Sequence, residues 1–445
     1  MRQRPFHKHA DGKGGFVERF LTEELIRWKD SPRRKPLLIH GVRHAGKTWL
    51  MREFGRTAYK KTAYVSFLSS PVMKGAFDTD CDTRRILMDI AAWTGVSITP
   101  SDTLIILDDT EEAPKALESL KYFCEEAPEY HVMAADSFPG PAPYDGVSFP
   151  VGKVSEMTLY PMTFQEFLLA MGERELAELL WDRKYGRLKD LREKYIHWLK
   201  NYLYVGGMPE AVALFRDQKD YRAVRALQME ILGQYEKDFG KHADGTLLKR
   251  IGEVWKSAPA QLSKENRKFF LREIKKGGRM KDFAPAIERL VRSGLLLRVN
   301  RARSPAIPLK SYWEPGAFKL YPADVGLLSA MYGISSKVLA DGNAVFHALN
   351  GALAETYVLE ELKAMTDFDI CYYSNDDSTF EIPFLLGGGD GIVPVEVKAE
   401  ESPRARGFRN FCEKYRPQQA LRTSLSDYRE QDRMKSIPLY AIGTI

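Results

Sequence analysis

Leu37-Leu38-Ile39-His40-Gly41-Val42-Arg43-His44-Ala45-Gly46-Lys47-Thr48-Trp49-Leu50-Met51 reads as a short apolar strand, a turn bounded by two glycines and the opening of a helix. The spacing G-x-x-x-x-G-K-[ST] in that strand, loop and helix setting is a phosphate-binding loop, the Walker A pattern. Gly41 and Gly46 let the backbone curl so that its N–H groups face inward, and the helix N-terminus adds partial positive charge. The expected cradle is Gly41, Val42, Arg43, His44, Ala45, Gly46, Lys47 and Thr48. Lys47 would reach the β- and γ-phosphates of ATP, and the Thr48 hydroxyl would ligate Mg²⁺.

Such a loop needs a carboxylate at the end of a neighbouring strand. Thr103-Leu104-Ile105-Ile106-Leu107-Asp108-Asp109 supplies one, with Asp108 as the expected metal partner. The following residue is where many such ATPases carry the glutamate that orients the attacking water. Here it is Asp109, one methylene shorter, and a misplacement of about 1 Å can cost on the order of a hundredfold in rate. On this reading Asp109→Glu restores reach and raises turnover. Glu111 and Glu112 lie past the strand; a stand-in role for the base is the alternative reading, and a solvated acidic turn ahead of a helix over Ala113–Glu126 is the favoured one.

Around this motif, residues 16 to 160 alternate aliphatic runs with helical patterns, the mark of a parallel α/β sheet. The expected strands are Pro36–His40, Ala63–Phe67, Thr103–Leu107 and His131–Ala135. Helical spacing then dominates through Phe164–Leu169 and Leu176–Trp181, and Pro209 suits the first turn of a further helix. Helices are expected around Leu247–Trp255, Lys264–Lys275 and Phe283–Ser293, then a strand through Gly294–Val299, together suggesting a winged helix. The last segment returns to α/β, with a helix over Ala352–Met365 and strands near Ile370–Tyr373, Glu381–Leu386 and Val393–Val397. Gly387-Gly388-Gly389 reads as a hairpin turn.

The chain has 445 residues, of which 44% are hydrophobic and 28% charged, in the ordinary range for a folded soluble protein of about three domains. The net charge of +6, from 66 basic and 60 acidic residues, permits nucleic-acid contact without arguing for it. The basic start, Arg2 to His9, has no apolar run behind it and reads as a flexible leader rather than a signal peptide. No window approaches the roughly 18 apolar residues of a membrane span, so no membrane partner and a cytoplasmic location are expected. Cys81, Cys124, Cys371 and Cys412 are scattered and read as reduced thiols, not zinc ligands.

Four segments carry a family likeness: Lys35–Arg43, Leu107–Tyr122, Phe149–Val154 with Leu159–Phe164, and Gly206-Gly207-Met208-Pro209-Glu210. Over nearly its full length the chain resembles the prokaryotic AAA-type ATPases with a C-terminal domain of unknown function. That resemblance implies an ATPase core over 1–155, a helical subdomain over 156–245, a winged-helix-like domain over 246–340 and a restriction-endonuclease-like domain over 341–445. The family usually reads Asp-Glu, a hydrophobic residue and Gln after the acidic strand. Asp109 and Glu111 stand in the Glu and Gln places here. It also implies a Gly-Ser strand end that brings a polar sensor to the γ-phosphate, and this chain has Asp136-Ser137. Ser137 keeps the sensor. Asp136 adds a charge that must point away or weaken nucleotide affinity, since like charges about 4 Å apart repel by several kcal/mol at a dielectric near 20.

Near the C-terminus Glu355, Glu381 and Glu396-Val397-Lys398 are similar to the E…D…E-x-K set of endonuclease-like domains, but Pro383 occupies the expected Asp position. Glu381 lies about 6.6 Å away along the strand on the same face, too far to replace it, so an inactive nuclease-like domain is expected. Pro383 also argues for an edge strand or a bulge. The basic residues from Arg250 to Lys281 could contact DNA phosphates or coat a protein-packing surface. The functional expectation is an ATP-binding P-loop ATPase that changes conformation with ATP and Mg²⁺. Its alternatives are a non-hydrolysing, nucleotide-gated interaction protein and a DNA-processing protein.

Overall fold

A computed structural model describes residues 18–137, 149–240, 243, 245–265, 267–375, 380–389, 391–398 and 406–445. The basic leader lies outside them. The chain divides into two compact units, one holding residues 18–160 and 292–294 and the other 161–291 and 295–445.

The first unit is a five-stranded parallel sheet with strands β1 (Leu37–His40), β2 (Lys61–Ser66), β3 (Thr103–Asp108), β4 (His131–Asp136) and β5 (Ser155–Thr158), in the order β2-β3-β4-β1-β5. Its helices are α1 (Leu21–Asp30), α2 (Lys47–Ala58), α3 (Pro71–Thr79), α4 (Thr83–Thr94) and α5 (Pro114–Glu126). Strands β1, β3 and β4 are buried along their whole length, as expected of a parallel sheet covered on both faces. One face packs Val65, Phe67, Ile105 and Leu107 against Phe77, Ile90, Leu117 and Phe123. Strand β5, Ser-Glu-Met-Thr, alternates exposed and half-buried residues, and so small and polar an edge has little apolar signal. The register sets His40 beside Asp136 and Ser66 beside Asp108, so the strand ends that carry the expected site residues line up at one edge.

The second unit opens with helices α6 (Phe164–Ala170), α7 (Arg174–Trp181), α8 (Tyr185–Asp190), α9 (Arg192–Val205), α10 (Pro209–Gln218), α11 (Tyr221–Asp238), α12 (Gly245–Leu262) and α13 (Met280–Arg292). A capping box between Thr163 and Glu166 starts α6, and Pro209 takes the first turn of α10. Lys264–Lys275, expected as a helix, is not one. Arg267 turns to φ 49°, the Gln261 carboxamide binds the Phe270 backbone through both its N–H and its C=O, and Phe269 N–H donates to Phe318 O. Those bonds replace the helical ladder, leaving one short turn at Leu271–Glu273.

Strands β6 (Leu296–Ala302) and β7 (Trp313–Pro322) form an antiparallel ribbon, followed by α14 (Val325–Met331), α15 (Ala344–His347) and α16 (Ala352–Met365). The ribbon continues into the sheet of β8 (Asp369–Ser374), β9 (Glu381–Gly388), β10 (Gly391–Val397), β11 (Ala420–Ser424), β12 (Arg429–Gln431) and β13 (Met434–Pro438), with α17 (Arg406–Tyr415) between β10 and β11. The order is β12-β13-β11-β10-β9-β8-β6-β7, with β6 parallel to β8. The strand expected over Gly294–Val299 and its ribbon partner β7 therefore belong to the same sheet as the C-terminal strands. Pro383 sits in β9, an interior strand, and not at an edge. The β8–β9 register shifts between Cys371 and Tyr373, a bulge where the missing proline N–H does least harm.

Buried acids mark the core of this unit. Asp324 caps α14 through Leu327 N–H and also accepts from Gly207 N–H at 2.6 Å, while Glu361 accepts from Phe164 N–H at 2.7 Å. Glu360 is buried beside them, with no ion pair among the described residues. Burial pushes Glu360 well above the ordinary glutamate value, Glu361 to about 8 and Asp324 to about 6. An acid raised in the folded state contributes most below its unfolded value, and the contribution is lost as pH climbs toward the folded one. The unfolding midpoint therefore falls from about pH 5 to about pH 8. Glu360→Gln should raise the midpoint near pH 8 and change it little near pH 5. Denaturant titration of both proteins at the two pH values checks this, and a lower midpoint for the variant near pH 8 would contradict it.

Candidate nucleotide site

The loop between β1 and α2 closes around its own lysine. Lys47 Nζ donates to Gly41 O at 2.7 Å, to Val42 O at 3.3 Å and to Ser137 Oγ at 3.2 Å. Gly46 holds φ 93°, and a Cβ on Gly41 would lie 2.4 Å from Leu159 O, so both glycines are required by geometry. No side chain caps the N-terminus of α2 among the described residues, which leaves loop amides for an anion. Arg19 braces the cradle from outside, donating to Ala45 O at 2.8 Å and to Tyr160 O at 2.6 Å.

Opposite the loop, Thr48 Oγ1 donates to Asp108 Oδ2 at 2.6 Å, and the Tyr64 hydroxyl donates to the same oxygen at 3.0 Å. The structure thus brings together Lys47, Thr48, Asp108 and Ser137. A hydroxyl and a carboxylate in contact beside an ammonium form an oxygen donor set suited to a hard cation such as Mg²⁺. The chemistry of these residues fits a magnesium-bound nucleotide.

The acids that follow β3 diverge. Asp109 takes φ 60° and its Oδ2 accepts from Ser66 Oγ at 3.0 Å, toward β2. Glu112 pairs with Lys74 of α3 at 3.0 Å. Glu111 is not part of a solvated turn: its Oε2 is buried, and burial with the neighbouring Asp136 pushes the carboxyl up to about 7. Asp136 is fully buried, and its field reaches both Glu111 and Lys47. Burial lowers the Lys47 ammonium below the usual lysine value, opposed by Glu111 first and then by Asp108, Asp136 and Asp109. Burial and Asp108 raise Asp109, while the Ser66 hydrogen bond opposes them. Sequence reading alone missed Arg19 and Tyr64, whose partners lie on segments distant in the chain, and only the Ser66–Asp108 register reveals the tether on Asp109.

In the second unit the nuclease-like acids are neutralised internally. Arg267 pairs with Glu355 at 2.6 Å, Tyr321 donates to Glu355 at 3.0 Å, and the fully buried Lys319 bridges Glu355 and Glu381. Arg422 holds Glu396 at 2.7 Å, with Lys398 at 3.9 Å. Burial would raise Glu355, but Lys319 and then Arg267 outweigh it and hold the carboxyl below the usual value. Among the described residues no three acids, histidines or cysteines could hold one metal ion. Arg267 and Lys264, which pairs with Glu273 at 2.8 Å, are engaged in internal ion pairs and not presented as a free basic face.

Three segments match known family models: residues 33–168 an AAA domain, 196–338 one domain of unknown function and 350–442 another. The last match lends no support to the restriction-endonuclease resemblance. Similar solved structures include the Walker-type ATPase PABY2304 of Pyrococcus abyssi, at 13% identity and TM-score 0.44, over 70% of this chain and 95% of that one. Another is the Aeropyrum pernix Orc1 protein in complex with DNA, at 13% and 0.28, over 71% and 90% of the two chains. A third is AMPPCP-bound DnaA from Aquifex aeolicus, at 17% and 0.25, over 61% and 86%. No curated protein matches significantly. The AAA-type reading of the first unit rests on the domain model. No helix among the described residues is long and apolar enough to cross a membrane.

The internal ion network makes a prediction. Lys319→Met strands Glu355 and Glu381 without their shared cation and should cost about 3–5 kcal/mol, whereas adding Glu355→Gln and Glu381→Gln recovers much of that loss. Equilibrium unfolding of the single and triple variants tests it, and a neutral single substitution would contradict it.

Proposed function

We propose that the chain binds ATP with Mg²⁺ in the Gly41–Thr48 loop and hydrolyses it to drive a conformational change. The observation that carries this reading is the contact of Thr48 with Asp108 at 2.6 Å beside the buried Lys47. A loop that matched the pattern by accident would have no reason to meet an acid from the end of β3.

Lys47 is held by weak neutral acceptors, two carbonyls and one hydroxyl, so phosphate oxygens compete well for its hydrogen bonds. The amides from Gly41 to Thr48 hold the polyphosphate, and Arg19 keeps the loop from opening. Thr48 and Asp108 would hold Mg²⁺, which supplies charge neutralisation of the phosphates. Ser137, whose Oγ accepts from Lys47 Nζ, brings its hydroxyl to the same region. The half-buried Asp109 and Glu111 that follow β3 are the groups able to accept a proton from an attacking water.

Lys47→Ala should weaken binding of a fluorescent ATP analogue by about tenfold or more and reduce phosphate release to background. Asp108→Asn should instead remove mainly the part of the affinity that depends on Mg²⁺. Titrations with and without Mg²⁺, beside a phosphate-release assay, check both. Wild-type affinity in the Lys47→Ala protein would refute the site, and wild-type turnover no higher than that variant's would refute hydrolysis.

A further inference from the structure

We infer that Glu111, not Asp109, is the general base that takes the proton from the water attacking the γ-phosphate. The inference rests on the ATPase reading above and concerns which carboxylate serves it. The sheet order decides the direction in which a base must point. Strand β4 lies between β3 and β1, so the phosphate loop is on the β4 side of β3, while β2 is on the other.

Asp109 is tethered to that other side by the Ser66 hydroxyl, and Glu112 is drawn to Lys74. Between them, the Thr110 hydroxyl donates to Ala135 O at 3.0 Å and fixes the turn Thr110–Glu112 against the end of β4. Glu111 therefore sits near Asp136, at the end of β4. Its Oε2 is buried and has no hydrogen-bond partner among the described residues, a costly arrangement for a purely structural acid. Of the four acids whose fields reach Lys47, Glu111 acts most strongly.

In the step assigned here the water oxygen bonds to the γ-phosphorus while the bond from that phosphorus to the bridging oxygen breaks. The electron pair leaves with ADP, and the water proton passes to the Glu111 carboxylate, which later releases it to solvent. Asp136 lies beside Glu111 and disfavours a second negative charge there, so the carboxyl is a better proton acceptor than an isolated glutamate.

The experiment compares Glu111→Gln, Asp109→Asn, Asp109→Glu and Glu112→Gln for phosphate release and for equilibrium affinity toward ATP and ADP. Glu111→Gln should lose about a hundredfold or more in turnover. It should bind ATP more tightly, on the order of tenfold, with ADP changed little, because one like charge facing the γ-phosphate is gone. Asp109→Asn should lose far less turnover, and Glu112→Gln should match the wild type. Turnover of Glu111→Gln near the wild-type rate, ATP and ADP affinities shifting together, or a gain in Asp109→Glu with loss in Asp109→Asn would each overturn the assignment. If the wild type itself releases no more phosphate than Lys47→Ala, the hydrolysis reading falls and this inference with it. If the wild type is active and Glu111→Gln is equally so, only the choice of base falls.

Discussion

The buried ammonium of Lys47 is the constraint around which the first unit is arranged. A charge taken out of water costs several kcal/mol unless other groups replace its hydration. Here the replacements are two carbonyls of its own loop, the Ser137 hydroxyl and the fields of four acids. They come from the ends of three strands of the sheet. The loop follows β1, Asp108 ends β3, and Asp136 and Ser137 close β4, so the parallel order β3-β4-β1 is what brings them within reach. A change in strand order would leave the lysine without its partners.

Four acids around one ammonium also make the site acidic. On the proposed reading, a nucleotide polyphosphate alone would meet repulsion there and one carrying a divalent cation would not, which would tie affinity to Mg²⁺ more tightly than in a site with fewer carboxylates. The same crowding separates the acids by role. Asp108 is fixed by Thr48 and Tyr64, and Asp109 is held by Ser66. Glu111 alone combines a buried, unpartnered oxygen with the strongest pull on Lys47. In the second unit buried acids meet a different fate. Lys319, Arg267 and Arg422 occupy the carboxylates that resembled a nuclease site, so their charge is spent on holding the sheet to its neighbours.

Much of this was legible in the chain. The phosphate loop, strands β1 to β4 and the helix Ala352–Met365 follow from runs and spacings whose signal is local. What was not legible depended on tertiary partners. Strand β5 is too polar to announce itself, and Lys264–Lys275 has helical spacing that Gln261 and the Phe318 backbone override. Pro383 suggested an edge or a bulge without deciding between them, and the register shift beside it in an interior strand is the bulge. Asp109 reads as the base from its position in the motif, and the inference that Glu111 serves instead draws on geometry that the motif does not carry. The tether from Ser66 and the burial of Glu111 are visible only once β2 and β4 flank β3.

The most direct test is a crystal structure of the protein with Mg²⁺ and a non-hydrolysable ATP analogue. The account predicts phosphates seated on the loop from Gly41 to Thr48, Lys47 Nζ transferred from the Gly41 and Val42 carbonyls to phosphate oxygens, and the metal between Thr48 and Asp108. Lys47 still bound to those carbonyls, with the nucleotide absent or bound elsewhere, would contradict it.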